Sequence, residues 1–171
     1  SADVPVGLAL SGGLDSTCIL AALQKTFNLN APITCYTSHF HDKESELYWA
    51  NLAASVNKNK LKPVVTRLDN WGPMIVTLQK RLGIPVNSPA VIPHFQLMLS
   101  SKKDGYKVIL EGQGADEIFG GYIHHHCQFL INLIKRREFI RFYNSFGVFS
   151  NQHNYLFFLI TFAKFSIKEL F

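Results

Sequence analysis

VGLALSGGLDSTCILAALQ, residues 6–24, sets the architecture of the first part of the chain. Residues 6–10 form a short apolar run between Pro5 and Gly12, which predicts a buried strand. Residues 16–24 are apolar on most faces and predict a helix. Because a glycine loop joins the two, this stretch indicates an α/β unit with a loop beyond the carboxyl end of its strand.

The same alternation continues along the chain. Further strands are predicted at residues 33–38, 63–68 and 107–110, and further helices at 44–56, 74–82 and 94–101. Alternating strands and helices predict an α/β fold with a largely parallel sheet. A second glycine-rich loop, residues 111–121, follows the fourth strand. Ligands of such sheets bind beyond the carboxyl ends of the strands, so both loops are candidate binding elements.

The first loop, residues 11–16, has the chemistry of a phosphate site. Gly12 and Gly13 let the backbone turn sharply and approach an anion, and helix-start N–H groups point at negative charge. Ser11 and Ser16 add hydroxyl donors. Asp15 would repel phosphate unless it holds a cation such as Mg²⁺, which uses carboxylates together with phosphate oxygens. The alternative is a plain turn in which Asp15 or Ser16 is the helix N-cap.

The second loop reads EGQGADEIFGGY over residues 111–122. Four glycines in so short a span predict special backbone geometry or close approach to a ligand. Asp116 and Glu117 supply carboxylates, and Asp15 and Asp116 could meet over one Mg²⁺ if both loops lie at the same sheet edge. The alternative is a structural glycine turn with a solvated acidic pair.

SGGLDS, residues 11–16, resembles the SGGxDS pyrophosphate loop of the adenylating ATP pyrophosphatases. It is not a Walker A loop, because no Gly-Lys-Ser/Thr ending is present. Residues 112–122 resemble the G-x-G-A/S-D-E-x-F-G-G-Y signature of asparagine synthetases and of their relatives, the β-lactam synthetases and lasso-peptide cyclases. Between them, Glu46, Ala50 and Ala54 are similar to a family helix with alanines at four-residue steps.

The resemblance implies a fold and a domain plan. It implies the parallel-sheet ATP-pyrophosphatase (adenine nucleotide alpha hydrolase-like) fold with a helical C-terminal segment. Residues 1–122 would be the α/β core. Residues 123–171, which are rich in aromatic side chains, would be a helical extension of the same synthetase domain.

Site residues follow from the resemblance position by position. Family positions that contact the nucleotide match Leu10, Ser38, Glu111 and Gly112, and those of the pyrophosphate loop match Ser11, Gly12, Gly13, Asp15 and Ser16. The Mg²⁺ ligands match Asp15 and Asp116, and the catalytic group would be Asp15, Asp116 and Glu117.

Three features depart from the family pattern. Gln113 stands where some members have a catalytic-site Glu and others a Gln, and an amide cannot act as a base. Glu111 is bulkier than the usual Ser or Asp. His124, His125 and His126 only loosely echo a family His-Arg pair.

The implied activity is that of an amide-forming ligase using ATP and Mg²⁺. A carboxylate, aspartate in the family, would attack the α-phosphate of ATP and release pyrophosphate, and ammonia would then displace AMP to give asparagine. Two alternatives stay open: a truncated nucleotide-binding module without turnover, and a relative acting on another carboxylate. We also expect the chain to be part of a longer protein. Its partners would be the missing glutaminase domain or a partner chain, with self-association through the uncovered aromatic segment.

Other classes are disfavoured. The net charge is +5, and no basic stretch is longer than residues 135–137, which argues against nucleic-acid binding. The most apolar run, residues 155–163, is shorter than the about 20 residues that span a bilayer. Cys18, Cys35 and Cys127 have no disulfide or metal spacing, which predicts a reducing, cytoplasmic location, with Cys18 buried in its apolar helix. Consecutive helical residues point about 100° apart, so residues 124–126 do not predict a metal site.

Overall fold

The computed structural model describes residues 3–26, 32–40, 44–56, 58–67, 69, 71–86, 88–152 and 154–170. They form two compact units, which we call unit 1, Ser1–Gly112, and unit 2, Gln113–Phe171. The division into 1–122 and 123–171 expected from the resemblance stays a prediction.

Unit 1 is a parallel sheet with helices on its connections. Its described strands are β1 (Val6–Ala9), β2 (Thr34–His39), β3 (Lys60–Val65) and β4 (Val108–Leu110), in the order β3-β2-β1-β4. All three strand pairs are parallel. The connections carry α1 (Leu14–Thr26), α2 (Glu44–Ser55), α3 (Trp71–Leu82) and α4 (Val91–Lys103). The predicted α/β class with a parallel sheet is confirmed.

Several element boundaries differ from the prediction. Helices α3 and α4 each begin three residues earlier than predicted, because Pro73 and Pro93 lie in their first turns, where a missing N–H costs no helical hydrogen bond. Strand β3 likewise begins at Lys60, since its first residues pair with β2 from Thr34 onward. Strand β3 also ends at Val65, earlier than the predicted residue 68, because residues 66 and 67 lie outside the strand; residue 68 itself lies outside the described residues.

One face of the sheet packs against α1 and α2. Side chains from β1, β2, the residues next to these strands and the two helices form a buried cluster. Its members are Leu8, Leu10, Leu20, Ile33, Cys35, Ala50 and Ala54. Small alanines on α2 let this helix approach the sheet closely. The cluster fixes the start of α1 beside the end of β1.

The opposite face carries Tyr36, since successive strand residues alternate between faces. The fully buried Tyr36 donates a hydrogen bond from its hydroxyl to Oδ2 of Asp104 over 2.7 Å. Lys62 on β3 lies 2.7 Å from the same oxygen. Because Asp104 immediately follows α4, these bonds tie the end of α4 to the middle of the sheet.

These contacts shift two pKa values in opposite directions. Hydrogen bonds from Lys62 and then Tyr36 lower the pKa of the Asp104 carboxyl below its ordinary 3.8. Burial, and then the bond to the Asp104 carboxylate, raise the pKa of the Tyr36 hydroxyl. The carboxylate form of Asp104 is therefore the one that the folded chain favours.

Unit 2 is helical, as predicted for the C-terminal segment. It contains α5 (Ala115–Phe119), α6 (Ile123–Lys135), α7 (Phe139–Gln152) and α8 (Tyr155–Leu170). The buried side chains of its core are Cys127, Leu130, Leu133 and Phe158, with Phe142, Phe146, Phe149, Phe162 and Phe165 packed against them. These phenylalanines thus form the core of this unit, whereas Phe139, Tyr143, Tyr155 and Phe157 are exposed. In the parts of the chain that the structure describes, no helix combines the length and apolarity needed to cross a bilayer.

All three cysteines are free thiols. Burial raises the pKa of the Cys35 thiol to about 11 and also raises that of Cys127. The expectation that Cys18 is buried is wrong: it is exposed, because Ile19, Leu20 and Leu23 form the face of α1 that packs on the sheet.

Asp104→Asn should make the free energy of unfolding depend less steeply on pH in the acid range. Because the folded-state pKa of Asp104 is lowered, the stability it contributes is complete above the ordinary value of 3.8 and is lost as the pH falls through the folded-state pKa. The variant lacks this titration, so its free energy of unfolding should fall less steeply with acid. Urea unfolding from about pH 6 to about pH 2 measures the difference.

Asp69→Asn is the matched control, since Asp69 meets Arg67 at 3.9 Å with both side chains more than 70% exposed. Such an open pair contributes little to stability. An acid slope that changes as much in the control as in Asp104→Asn would contradict the assignment.

Candidate functional site

The loop between β1 and α1 is closed by its own serines. Oγ of Ser11 accepts a hydrogen bond from the N–H of Gly13 at 3.2 Å and lies 3.1 Å from Oγ of Ser16. Ser16 in turn accepts from the N–H of Ser11 and donates to the carbonyl of Gly13, both at 3.3 Å. The loop therefore holds a defined curve from contacts within itself.

Helix α1 begins at Leu14, which places Asp15 and Ser16 inside its first turn. Neither residue is therefore the N-cap, the role that the plain-turn alternative required. The first N–H groups of a helix have no partner within it, so this turn directs donors toward the loop. The half-buried carboxylate of Asp15 lies at the positive end of the helix dipole.

Gly12 is where the loop meets α2. It has a φ of +78°, and a Cβ built on it would lie 2.5 Å from the backbone N of Ala50 and from the backbone C of Trp49. A side chain is excluded here both by conformation and by space. The phosphate-type loop is thus seated directly on the backbone of α2.

Gly112 brings the end of β4 to the same loop. A Cβ on it would lie 3.1 Å from Cβ of Asp15 and 3.2 Å from the backbone N of Ser16. Strand β4, which is the neighbour of β1 in the sheet, therefore ends against the first turn of α1. Within unit 1, the predicted residues of both glycine loops come together here.

Glu111 precedes that contact and has a partner that the sequence did not reveal. Its Oε2 lies 2.8 Å from Nε2 of His94 on α4, and both side chains are partly open to solvent. The sequence gives no local signal for this pair, because 17 residues separate its members.

Ser38 and Leu10 also lie at the carboxyl ends of strands in unit 1. Oγ of Ser38 lies 2.6 Å from Oγ1 of Thr66, which follows β3 and is buried. Leu10 has its side chain in the core, and its N–H donates to the carbonyl of Tyr36 at 2.8 Å. Any ligand contact by Leu10 would therefore use its carbonyl oxygen. Thr66, like His94, was missed by the sequence reasoning.

Asp116 and Glu117 lie in unit 2, in the first turn of the short helix α5. The hydroxyl of Tyr122 donates to Oε1 of Glu117 at 2.8 Å, and this bond lowers the pKa of Glu117. A Cβ on Gly121 would overlap the carboxylate of Asp116, so the glycine makes room for it. The shared Asp15–Asp116 site stays a prediction.

The three histidines of α6 take part in ring contacts. His124 stacks on Tyr122 with centroids 5.2 Å apart, and His126 stacks on Phe149 at 4.2 Å. Cys127 lies in the helical core. Among the residues described, no group of three His, Cys, Asp or Glu side chains is placed to hold a metal ion. Mg²⁺ that arrives with a nucleotide needs only one or two carboxylates beside the phosphates, and Asp15 in its donor-lined loop fits that requirement.

A family model described as "Asparagine synthase" matches residues 1–157. A Mycobacterium tuberculosis protein assigned as an asparagine synthetase (glutamine-hydrolysing) is 38% identical over 121 residues, covering 71% of this chain and 18% of the relative. Asparagine synthetase (glutamine-hydrolysing) 1 of Bacillus subtilis is 33% identical over 128 residues, covering 70% and 18%. The corresponding enzyme of Triphysaria versicolor is 28% identical over 134 residues, covering 72% and 22%. The chain thus matches about a fifth of the length of these relatives.

Gly12→Ala should destabilise the chain far more than Gly13→Ala. A left-handed alanine costs about 1–2 kcal/mol, and forcing a methyl into filled space adds about 1–3 kcal/mol. At Gly13 the nearest atom to an added Cβ is the movable Oγ of Ser11 at 3.3 Å. Urea unfolding followed by circular dichroism measures both variants, and equal destabilisation would contradict the close seat of Gly12 on α2.

Proposed function

This chain belongs to the asparagine synthase family, and we propose that it is the part of an ATP-dependent amide ligase that binds Mg·ATP and activates a carboxylate. The observation that carries the proposal is the meeting of Gly112 with Asp15 and Ser16. It gives the pyrophosphate-type loop and the end of β4 one common edge, where an α/β sheet of the ATP-pyrophosphatase kind binds its ligand.

In this proposal the loop of residues 11–16 holds the β- and γ-phosphates. Its seat on α2 fixes the curve before the ligand arrives, so the N–H groups of the first turn of α1 need no rearrangement. The hydroxyls of Ser11 and Ser16 can turn from each other to phosphate oxygens. As charge develops on the departing pyrophosphate, these donors stabilise it.

The nucleoside would be held at the neighbouring strand ends. Leu10 would contribute its carbonyl oxygen. Ser38 would contribute a hydroxyl that Thr66 holds in place. Glu111 and Gly112 would contact the nucleoside from the end of β4. Holding the α-phosphorus next to the acceptor carboxylate is the main catalytic contribution, because it converts an encounter of two anions into a positioned reaction.

Asp15 and Asp116 are proposed as ligands of the Mg²⁺ that accompanies ATP. Glu117 is proposed to act as a fixed negative charge, since its lowered pKa makes it a weak base. Gln113, an amide, cannot accept the proton either.

The acceptor is proposed to be aspartate, and the nucleophile ammonia, which would give asparagine, AMP and pyrophosphate. Glutamine hydrolysis, which the names of the relatives include, would belong to a glutaminase domain or partner chain. A relative that acts on another carboxylate is the second candidate, favoured by Glu111, which departs from the Ser or Asp usual in the family. The three free thiols support a reducing, cytoplasmic location.

Asp15→Asn should make ATP binding less dependent on Mg²⁺. With Mg²⁺ present, loss of the carboxylate ligand should weaken binding about tenfold. With EDTA, the variant should bind at least as well as the wild type, because a charge that repels phosphate is gone. Asp116→Asn should change the Mg²⁺ dependence of ATP binding in the same way. Asp3→Asn, a change on an exposed residue, is the control. Isothermal titration with ATP measures all four chains, and an unchanged Mg²⁺ dependence would remove Asp15 from the proposed ligands.

The reaction products test the bond that is cleaved. With Mg·ATP, aspartate and ammonia, we expect the complete enzyme that contains this chain to form AMP and pyrophosphate in equal amounts, and anion-exchange chromatography separates them from ADP and phosphate. ADP as the main product would contradict an adenylating ligase. ATP binding with no product at all would favour the alternative of a nucleotide-binding module without turnover.

A further inference from the structure

The His94–Glu111 pair lies next to the candidate nucleotide site, and its presence is poorly explained by stability. Oε2 of Glu111 is 2.8 Å from Nε2 of His94, while the two side chains stay 32% and 42% exposed. A polar pair this open to solvent contributes little to the folding free energy. Because both side chains are partly open to solvent, the pair can also contact a ligand, which a fully buried pair could not do.

His94 lies on a helix that is firmly anchored, so it can restrict the side chain to which it is hydrogen-bonded. Its helix α4 is anchored in the core by the buried side chains Ile92 and Leu97 on either side of it in the sequence. The far end of α4 is tied to the sheet through Asp104. A side chain on so firmly seated a helix restricts the carboxylate that it binds.

The pair uses only half of the Glu111 carboxylate. Among the residues that the structure describes, His94 is the hydrogen-bond partner of Oε2, and Oε1 has none. A carboxylate oxygen accepts hydrogen bonds and donates none, so it recognises hydroxyl or amine donors and repels phosphate. The next residue, Gly112, lies against Asp15 and Ser16 of the phosphate-type loop.

A nucleotide whose phosphates lie in that loop offers few donors near a strand end. Its ribose 2′- and 3′-hydroxyls follow the α-phosphate along the molecule, and in other parallel α/β folds an acidic side chain at a strand end accepts from ribose. We propose that Glu111 accepts a hydrogen bond from a ribose hydroxyl of the bound nucleotide, and that His94 is the positioning residue that fixes Glu111 for this contact. The inference rests on the proposed binding of Mg·ATP.

This contact makes the site selective for ribonucleotides. Removing a hydrogen bond to a charged acceptor weakens binding by about tenfold or more. Loss of His94 leaves Glu111 in place but free to rotate, so the selectivity should fall while binding of the phosphates persists. A pair with a purely structural role would change stability and leave the selectivity as it was.

The experiment compares Mg·ATP, 2′-deoxy-ATP and 3′-deoxy-ATP by isothermal titration on the 171-residue chain. Wild type should bind ATP about tenfold more tightly than at least one deoxy analogue. His94→Leu should reduce that ratio to about twofold or less, because the carboxylate is then unrestrained. His94→Gln should keep most of it, since an amide N–H can replace Nε2–H.

Lys62→Met is the matched control, because it breaks the ion pair at the other end of α4 and should leave the ratio unchanged. If His94→Leu does not fold by circular dichroism, His94→Asn, whose amide is too short to reach Glu111, replaces it. Equal binding of all three nucleotides by wild type, or an unchanged ratio in the loss variant, overturns the role of the pair and leaves the proposed function standing. No binding of ATP by wild type overturns both.

Discussion

Parallel pairing of β1 with β2 on one side and with β4 on the other is the constraint on which the candidate site in unit 1 depends. Parallel strands end at the same edge of a sheet, so residues far apart in the chain emerge side by side. Leu10 and Ser11 follow β1, Ser38 lies near the end of β2, and Glu111 follows β4. An antiparallel pairing at either position would move one of these groups to the opposite edge.

Close backbone contact then turns that edge into a defined site. Gly12 lies on the backbone of α2, and Gly112 lies against the first turn of α1. Helix α2 and the end of β4 thereby both contact the region of the phosphate-type loop. Since preorganised donors lose little by reorganising when charge develops, this fixed loop suits a step in which pyrophosphate departs.

Three carboxylates of the chain are each held by a neighbouring side chain. The Asp104 carboxylate, held by Tyr36 and Lys62, joins α4 to the sheet and has a structural role. The Glu111 carboxylate is held by His94 near the other end of the same helix, and we propose that its second oxygen binds a ligand. In unit 2 the Glu117 carboxylate is held by Tyr122, which lowers its pKa and keeps it ionised. Asp104, Glu111 and Glu117 thus each have a side-chain partner that holds the carboxylate, and the partner differs among them.

The sequence by itself determined the α/β class, the two glycine loops and the residues of the phosphate-type loop, because strand and helix periodicity and glycine spacing are local properties of the chain. It also indicated Asp15 and Glu111 as site residues through motifs in which neighbours along the chain act together. Only the tertiary structure decided that α2 seats Gly12, that His94 holds Glu111 and that Thr66 holds Ser38. It likewise decided that Cys18 faces outward. These features depend on which helix face packs on the sheet and on which strands become neighbours, and both are settled by burial of the whole core, not by any short segment.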